Sequence, residues 1–190
     1  NQIEQKFKEL GKSMERVGKD LTKYITVPLL GVGTAAFKVG KDFEAEMSKI
    51  VGLVGVAQEQ VDLWAKDIIK MAPELARSPK ELAEALYFIT SAGIKGAEAM
   101  DILEMSAKAA AGGLGETKVI ADLVTSAINA YGKENLSASL ATDILVAAVR
   151  EGKADATEFA GVLGNVLPVA SEMGVSFDQV AAATAAMTRT

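Results

Sequence analysis

Apolar residues in the first 24 positions fall at Ile3, Phe7, Leu10, Met14, Val17, Leu21 and Tyr24, separated by 4, 3, 4, 3, 4 and 3 positions. That rhythm is a heptad seam over three repeats and predicts an amphipathic helix over residues 1–26. Charges fill the other faces, with Glu4 before Lys8 and Glu15 before Lys19 in the acid-then-base order that favours a helix. Gly11 and Gly18 lie beside the seam and each cost about 1 kcal/mol relative to alanine, so the coil is expected to be weak alone. Two uses of the seam stay open: packing on its own domain, and self-association to a homo-oligomer. Three weak heptads do not choose between dimer and trimer.

From Tyr24 to Phe37 the chain carries no charge, and Pro28 and Gly31 interrupt this stretch. It is shorter than the roughly 20 apolar residues that a membrane-spanning helix needs. Gly31, Gly33 and Ala36 fit the G-x-G-x-x-A form of the dinucleotide fingerprint, but no second strand ending in an acidic residue follows at the required distance. Pro28 also suits a central parallel strand badly. Residues 27–57 are therefore expected to be an apolar, Gly/Ala-rich connecting segment.

Beyond Gln58 the pattern becomes regular. Gly93, Gly113, Gly132, Gly152 and Gly174 lie 20, 19, 20 and 22 residues apart, with Ala- and Leu-rich intervals between them. Such spacing predicts a helix of about four turns and a short connection, repeated, with these glycines as helix-end turns. SAGIKGAEA and SEMGVSFDQ place glycine directly before an apolar residue, as a Schellman ending does, and GGLGE has the same shape. Ser78-Pro79-Lys80-Glu81 and Ser176-Phe177-Asp178-Gln179 read as capping boxes, and Asp155 with Glu158 as a third. Helices are predicted near 58–72, 79–91, 97–111, 117–131, 137–150, 156–172 and 177–189, with Pro168 bending the sixth. Connections of three to six residues make neighbours antiparallel. The fold class is all-α: an amphipathic N-terminal helix over 1–26, the connecting segment 27–57, and an antiparallel array of short helices over 58–190.

Composition narrows the function. The 190 residues suit one domain, or one domain with an appended segment. The chain begins with Asn1 and ends at Arg189-Thr190, and reads as a piece of something longer. Thirty-two alanines and only 5% aromatic residues imply close but thinly stabilised helix packing, able to be remodelled. The net charge of −5 is +2 over the first 49 residues and −7 over the rest, so neither part shows a direct nucleic-acid-binding signal. With no Cys and no His, disulfides, thiolate nucleophiles, zinc-thiolate sites and the commonest general base are missing. No phosphate loop occurs. Glu81 with Glu84 and Glu98 with Asp101 share helix faces but have no catalytic companions and read as solvated. Ser91, Ser106, Ser126, Ser139 and Ser171 lack a base partner and read as helix-terminal or packing residues. Asp20, Asp42, Glu44 and Glu46 do not fit a calcium loop. No catalytic residue, cofactor or metal is expected, and the chain is read as not an enzyme.

Three stretches together carry a specific resemblance: GKDLTKYITVPLLGVGTAAFKVGKDFEAEMSKI, the run from Pro79 to Gly132, and EFAGVLGNVLPVASEMGVSFDQVAAATAAMT. The match lies in the Thr26-Val27-Pro28-Leu29 turn, Phe43-Glu44 followed by Met47, Ser91-Ala92-Gly93, Asn129-Ala130-Tyr131-Gly132 and Gly174-Val175-Ser176. In order and over nearly the whole chain, these resemble the amino-proximal region of phage and prophage tail tape measure proteins. The resemblance implies a structural virion-tail protein acting in tail assembly and length determination, with a role in DNA delivery. Implied partners are the tail tube protein, tail assembly chaperones and tail tip or baseplate proteins, first in the host cytoplasm and then in the virion tail. The long central helix and carboxyl-terminal domains of the family are missing here.

One tension follows. A ruler is an extended helix at about 1.5 Å per residue, whereas glycine stops every 20 residues describe a folded array. The region is either a compact assembly or terminal module, or compact alone and opened inside the tube. Two other classes compete: a membrane-active helical segment making transient membrane contact at infection, and a general α-helical adaptor.

Overall fold

The computed structural model describes residues 34–189, with side chains from Val39 onward. The seam Ile3, Phe7, Leu10, Met14, Val17, Leu21 and Tyr24 lies outside the described residues. Eight α-helices and no strand occur among the described residues: α1 (Thr34–Lys49), α2 (Gln58–Glu74), α3 (Pro79–Ser91), α4 (Ala97–Ala111), α5 (Thr117–Tyr131), α6 (Ala138–Glu151), α7 (Ala156–Glu172) and α8 (Phe177–Met187). A π-helical turn, Ile50–Val54, follows α1 directly.

Helix α1 and the turn after it occupy 34–54 of the stretch 27–57 that was expected to be a connection, and residues 27–33 lie outside the described ones. Phe43, Met47 and Ile50, spaced four and three apart, are fully buried and join Trp64, Ile68, Leu82 and Leu86 in the core. The charged residues between them pair locally, with the Lys49 Nζ 2.7 Å from the nearly buried Glu46 carboxylate. Residues 34–54 are thus an amphipathic helical element of the same body as the array.

Cross-helix hydrogen bonds show how the elements are arranged. At one end of the stack the Thr117 hydroxyl donates to the Glu81 carboxylate at 2.5 Å, which brings the first turns of α5 and α3 together. The Ala156 N–H at the start of α7 donates to the Leu114 carbonyl just before α5. At the other end the Asn129 amide donates to the Ala92 carbonyl at 3.0 Å, and the Ser171 hydroxyl to the Ala130 carbonyl at 2.5 Å. Helices α3, α5 and α7 therefore run parallel, side by side, with starts matched to starts and ends to ends. Helix α1 packs on α3 in the same series. On the other side α4 packs on α6 and α6 on α8. The ends of α6 and α8 meet where the Lys153 N–H donates to the Thr188 hydroxyl and Arg189 pairs with Glu151.

The result is a stack of helical hairpins in two layers, α1-α3-α5-α7 and α4-α6-α8, with α2 against α3 and the π-helical turn. Short connections reverse the chain between layers, as expected. The most extensive packing, however, joins every second helix rather than chain neighbours. The structural repeat is thus a hairpin of two helices, and the glycine interval of about 20 residues is half of it. Buried alanines on the facing surfaces, among them Ala83, Ala85, Ala107, Ala121 and Ala127, allow close helix approach within the stack.

Candidate functional site

The helix ends on which the glycines lie are built in two ways. Gly93, Gly113, Gly132 and Gly174 follow α3, α4, α5 and α7 with φ between +73° and +91°. After α3, α4 and α7 the next N–H, from Ile94, Leu114 and Val175, reaches back to a carbonyl five residues earlier and closes a Schellman motif. Gly152 differs: after α6 its φ is −84°, which any residue adopts. A Cβ there would stand 2.7 Å from the Thr188 hydroxyl and 3.3 Å from the Phe159 ring, so close approach of α8 and α7 is what requires glycine. At Gly152 glycine is thus required by space and not by a left-handed backbone.

The same junctions tie the stack together on its α5 end. The Tyr131 hydroxyl donates to the Val175 carbonyl at 2.9 Å, beside the Ala92–Asn129 and Ala130–Ser171 bonds. Burial, and then the charge of Asp178, push the Tyr131 phenol above its ordinary pKa. Asp178 is held below the usual carboxylate range by the Ser176 hydroxyl, which donates to it at 2.5 Å. Ser176 therefore turns its hydroxyl to its own first turn, while the Gln179 side chain accepts the Ser176 N–H at 3.2 Å.

Among the described residues, no group of three acidic side chains converges as a metal site would. Glu81 accepts from Thr117 and faces Arg77 at 3.4 Å, and Glu84 faces Lys80 at 3.5 Å, so both carboxylates of that face are engaged. Ser106 is fully buried without a hydrogen-bond partner, and Ser171 is spent on Ala130. A shallow groove of about 290 Å³ runs between α6 and α8, floored by Ala148, Ala181, Ala182 and Ala185, with Asp178 and the Glu151–Arg189 pair on its rim. No helix of the described residues is long and apolar enough to cross a membrane.

What remains is surface. Helix α7 buries Phe159, Leu163, Leu167 and Ala170 on one side and exposes Val162, Val166 and Val169 on the other, with Met173 at its end. From Phe159 to Ser171 it carries no charge, and Asn165 and Ser171 are the polar side chains of that stretch. This outer face is not among the sites expected from the sequence. Its signal was there, in two interleaved apolar stripes on one helix, the mark of an element with partners on both sides.

A stack of helical hairpins with an open apolar face on α7 is the class of an assembly component. The chain belongs to the phage-related minor tail protein family, whose model matches residues 64–190. Over 174 residues it is 30% identical to the tape measure protein of Pneumococcus phage Dp-1, a match that covers 92% of this chain and 15% of that protein. Over 184 residues it is 22% identical to a probable tape measure protein of Clostridium phage phiCD119, covering 95% of this chain and 19% of that protein. The chain therefore spans less than a fifth of the length of either relative. No solved structure matches it. The family is that of the tape measure proteins, as the resemblance implied.

Proposed function

We propose that this region acts in tail assembly as a folded helical module of a tape measure protein, and that the counting of tail length is done by other, extended parts of such proteins. The observation that carries the reading is the set of bonds joining parallel helix ends, Thr117 to Glu81, Asn129 to Ala92 and Ser171 to Ala130. All three break if the chain is drawn out into one continuous helix. The glycine stops also oppose extension, because four of the junctions hold residues in a left-handed conformation. The tail tube protein, the assembly chaperones and the tip or baseplate proteins are the partners that this role requires. The module would meet them in the host cytoplasm and remain in the virion tail.

The test is tail length by electron microscopy in phage whose tape measure protein lacks residues 93–131, one hairpin. If the region is stretched out as a ruler, tails shorten by about 60 Å at ~1.5 Å per residue. Tails of normal length, or no tails at all, are expected of a folded module. Particles that never incorporate the protein would remove it from the tail altogether.

A further inference from the structure

The N-caps of α3, α5 and α7, Ser78, Glu116 and Asp155, stand 38 and 39 positions apart, so the three helices compare position by position from their starts. The fourth and eighth positions after the cap are buried in all three: Leu82 and Leu86, Ile120 and Val124, Phe159 and Leu163. The seventh and eleventh differ. Ala85 and Ile89 of α3 and Leu123 and Ala127 of α5 are buried, whereas Val162 and Val166 of α7 are 44% and 41% exposed. The fourteenth position shows what covers this face in the first two. The Ala92 carbonyl after α3 accepts from Asn129 of α5, and the Ala130 carbonyl of α5 accepts from Ser171 of α7. In α7 the fourteenth position is Val169, 57% exposed. The face that α3 and α5 each turn to the next odd-numbered helix is thus the face that α7 leaves open.

We propose that the open face of α7 seats one more helix of the same repeat, parallel to α7 and supplied by the rest of the tape measure chain, an inference that rests on the family role given above. The interface continues the α3–α5 and α5–α7 contacts, and α7 is apolar at the positions where α3 and α5 are. A stack of hairpins that closed at α7 would present a polar outer face there. The same comparison defines the incoming helix. It is apolar at the fourth and eighth positions after its N-cap and small at the first, as Thr117 and Ala156 are in α5 and α7. A second copy does not supply it: in α3, α5 and α7 those fourth and eighth residues are already buried in their own stack, as are Phe43 and Met47 of α1. Length for a further hairpin is present in such proteins, since this chain spans less than a fifth of either relative.

The test is made in the full-length tape measure protein that contains this chain, with photoreactive p-benzoylphenylalanine in place of Val166 or, as a control, in place of the exposed Asp143 of α6. After irradiation at high dilution and peptide mass spectrometry, the Val166 position is expected to be linked within its own chain to a helix beyond residue 190 with the fourth-and-eighth apolar pattern. The Asp143 position is expected to give no such link. Val166→Asp in the same protein is expected to speed hydrogen exchange of the α7 amides by about tenfold or more, because it sets a charge in a packed face. A link from Val166 to a second copy, to another tail protein or to lipid would overturn the proposal. So would a yield at Val166 no greater than at Asp143, or exchange left unchanged by Val166→Asp. Presence of the protein in tails tests the family role separately and does not enter these readouts.

Discussion

Ala76 closes α2 at φ +51°, the one non-glycine residue with positive φ among those described. The left-handed conformation lets Arg77 N–H bond back to the Ala72 carbonyl at 3.0 Å, but it brings Cβ against the following carbonyl at about 1–2 kcal/mol. Ala76→Gly removes that strain and adds back about 0.4–1 kcal/mol of unfolded-state entropy. A net gain of about 0.5 kcal/mol is expected, read as a higher urea midpoint. Tyr131 gives a pH-dependent counterpart. Tyr131→Phe loses the bond to the Val175 carbonyl and is expected to cost about 1 kcal/mol at pH 7. Because the folded phenol titrates above its ordinary value, its contribution is fully present below the unfolded pKa of about 10 and is lost as the pH rises through the raised one. The stability difference between the native chain and Tyr131→Phe should therefore narrow above pH ~10, measured by urea unfolding at both pH values.

Individual helices are set by their ends. Asp155 accepts the Thr157 and Glu158 N–H groups at 2.8 and 3.0 Å, and Glu158 returns to the Asp155 N–H at 3.1 Å. Asp155→Ala is expected to cost about 1 kcal/mol and to speed hydrogen exchange at the Thr157 and Glu158 amides first. This box was legible from the sequence because both of its members lie within one turn. The Ser78 box was legible by half: the serine accepts the Glu81 N–H at 3.2 Å, but the Glu81 carboxylate leaves its own helix for Thr117, 36 residues away. No local pattern could announce that partner. The bounds of α3, α4 and α5 coincide with the predicted 79–91, 97–111 and 117–131, since caps and glycines mark both ends. Helix α7 runs on through Pro168, which lies on its exposed side. Helix α1 was missed because glycines and alanines around it read as a linker, although Phe43, Met47 and Ile50 carried the helical spacing.

At the scale of the molecule, the repeat is the hairpin. Removing residues 93–112 deletes α4 and its turns and leaves α5 entering the stack with its direction reversed, so the bonds from Asn129 and Thr117 to α3 are lost. Removing residues 93–131 takes out α4 and α5 together and lets α6 follow α3 in the same sense that it follows α5 now. The first variant is expected to lose cooperative unfolding. The second should keep one cooperative transition at a reduced denaturant slope, in proportion to the surface it no longer buries. Circular dichroism-monitored urea unfolding of the two distinguishes a hairpin repeat from a single-helix one.

What the sequence determined by itself is local: helical periodicity, helix ends, and the absence of the side chains that catalysis by histidine or cysteine requires. These follow from interactions between residues a few positions apart, which a linear pattern records. Tertiary structure decided which helices lie side by side, that Gly152 is needed for space rather than for its backbone, and that α7 turns a second apolar stripe outward. Each of those depends on groups brought together from more than 30 positions away, such as Gly152 with Thr188 and Asn129 with Ala92. Two helices of equal length and similar alanine-rich faces can pair in several ways with nearly equal burial. Only the full set of close approaches and end-to-end bonds selects among them.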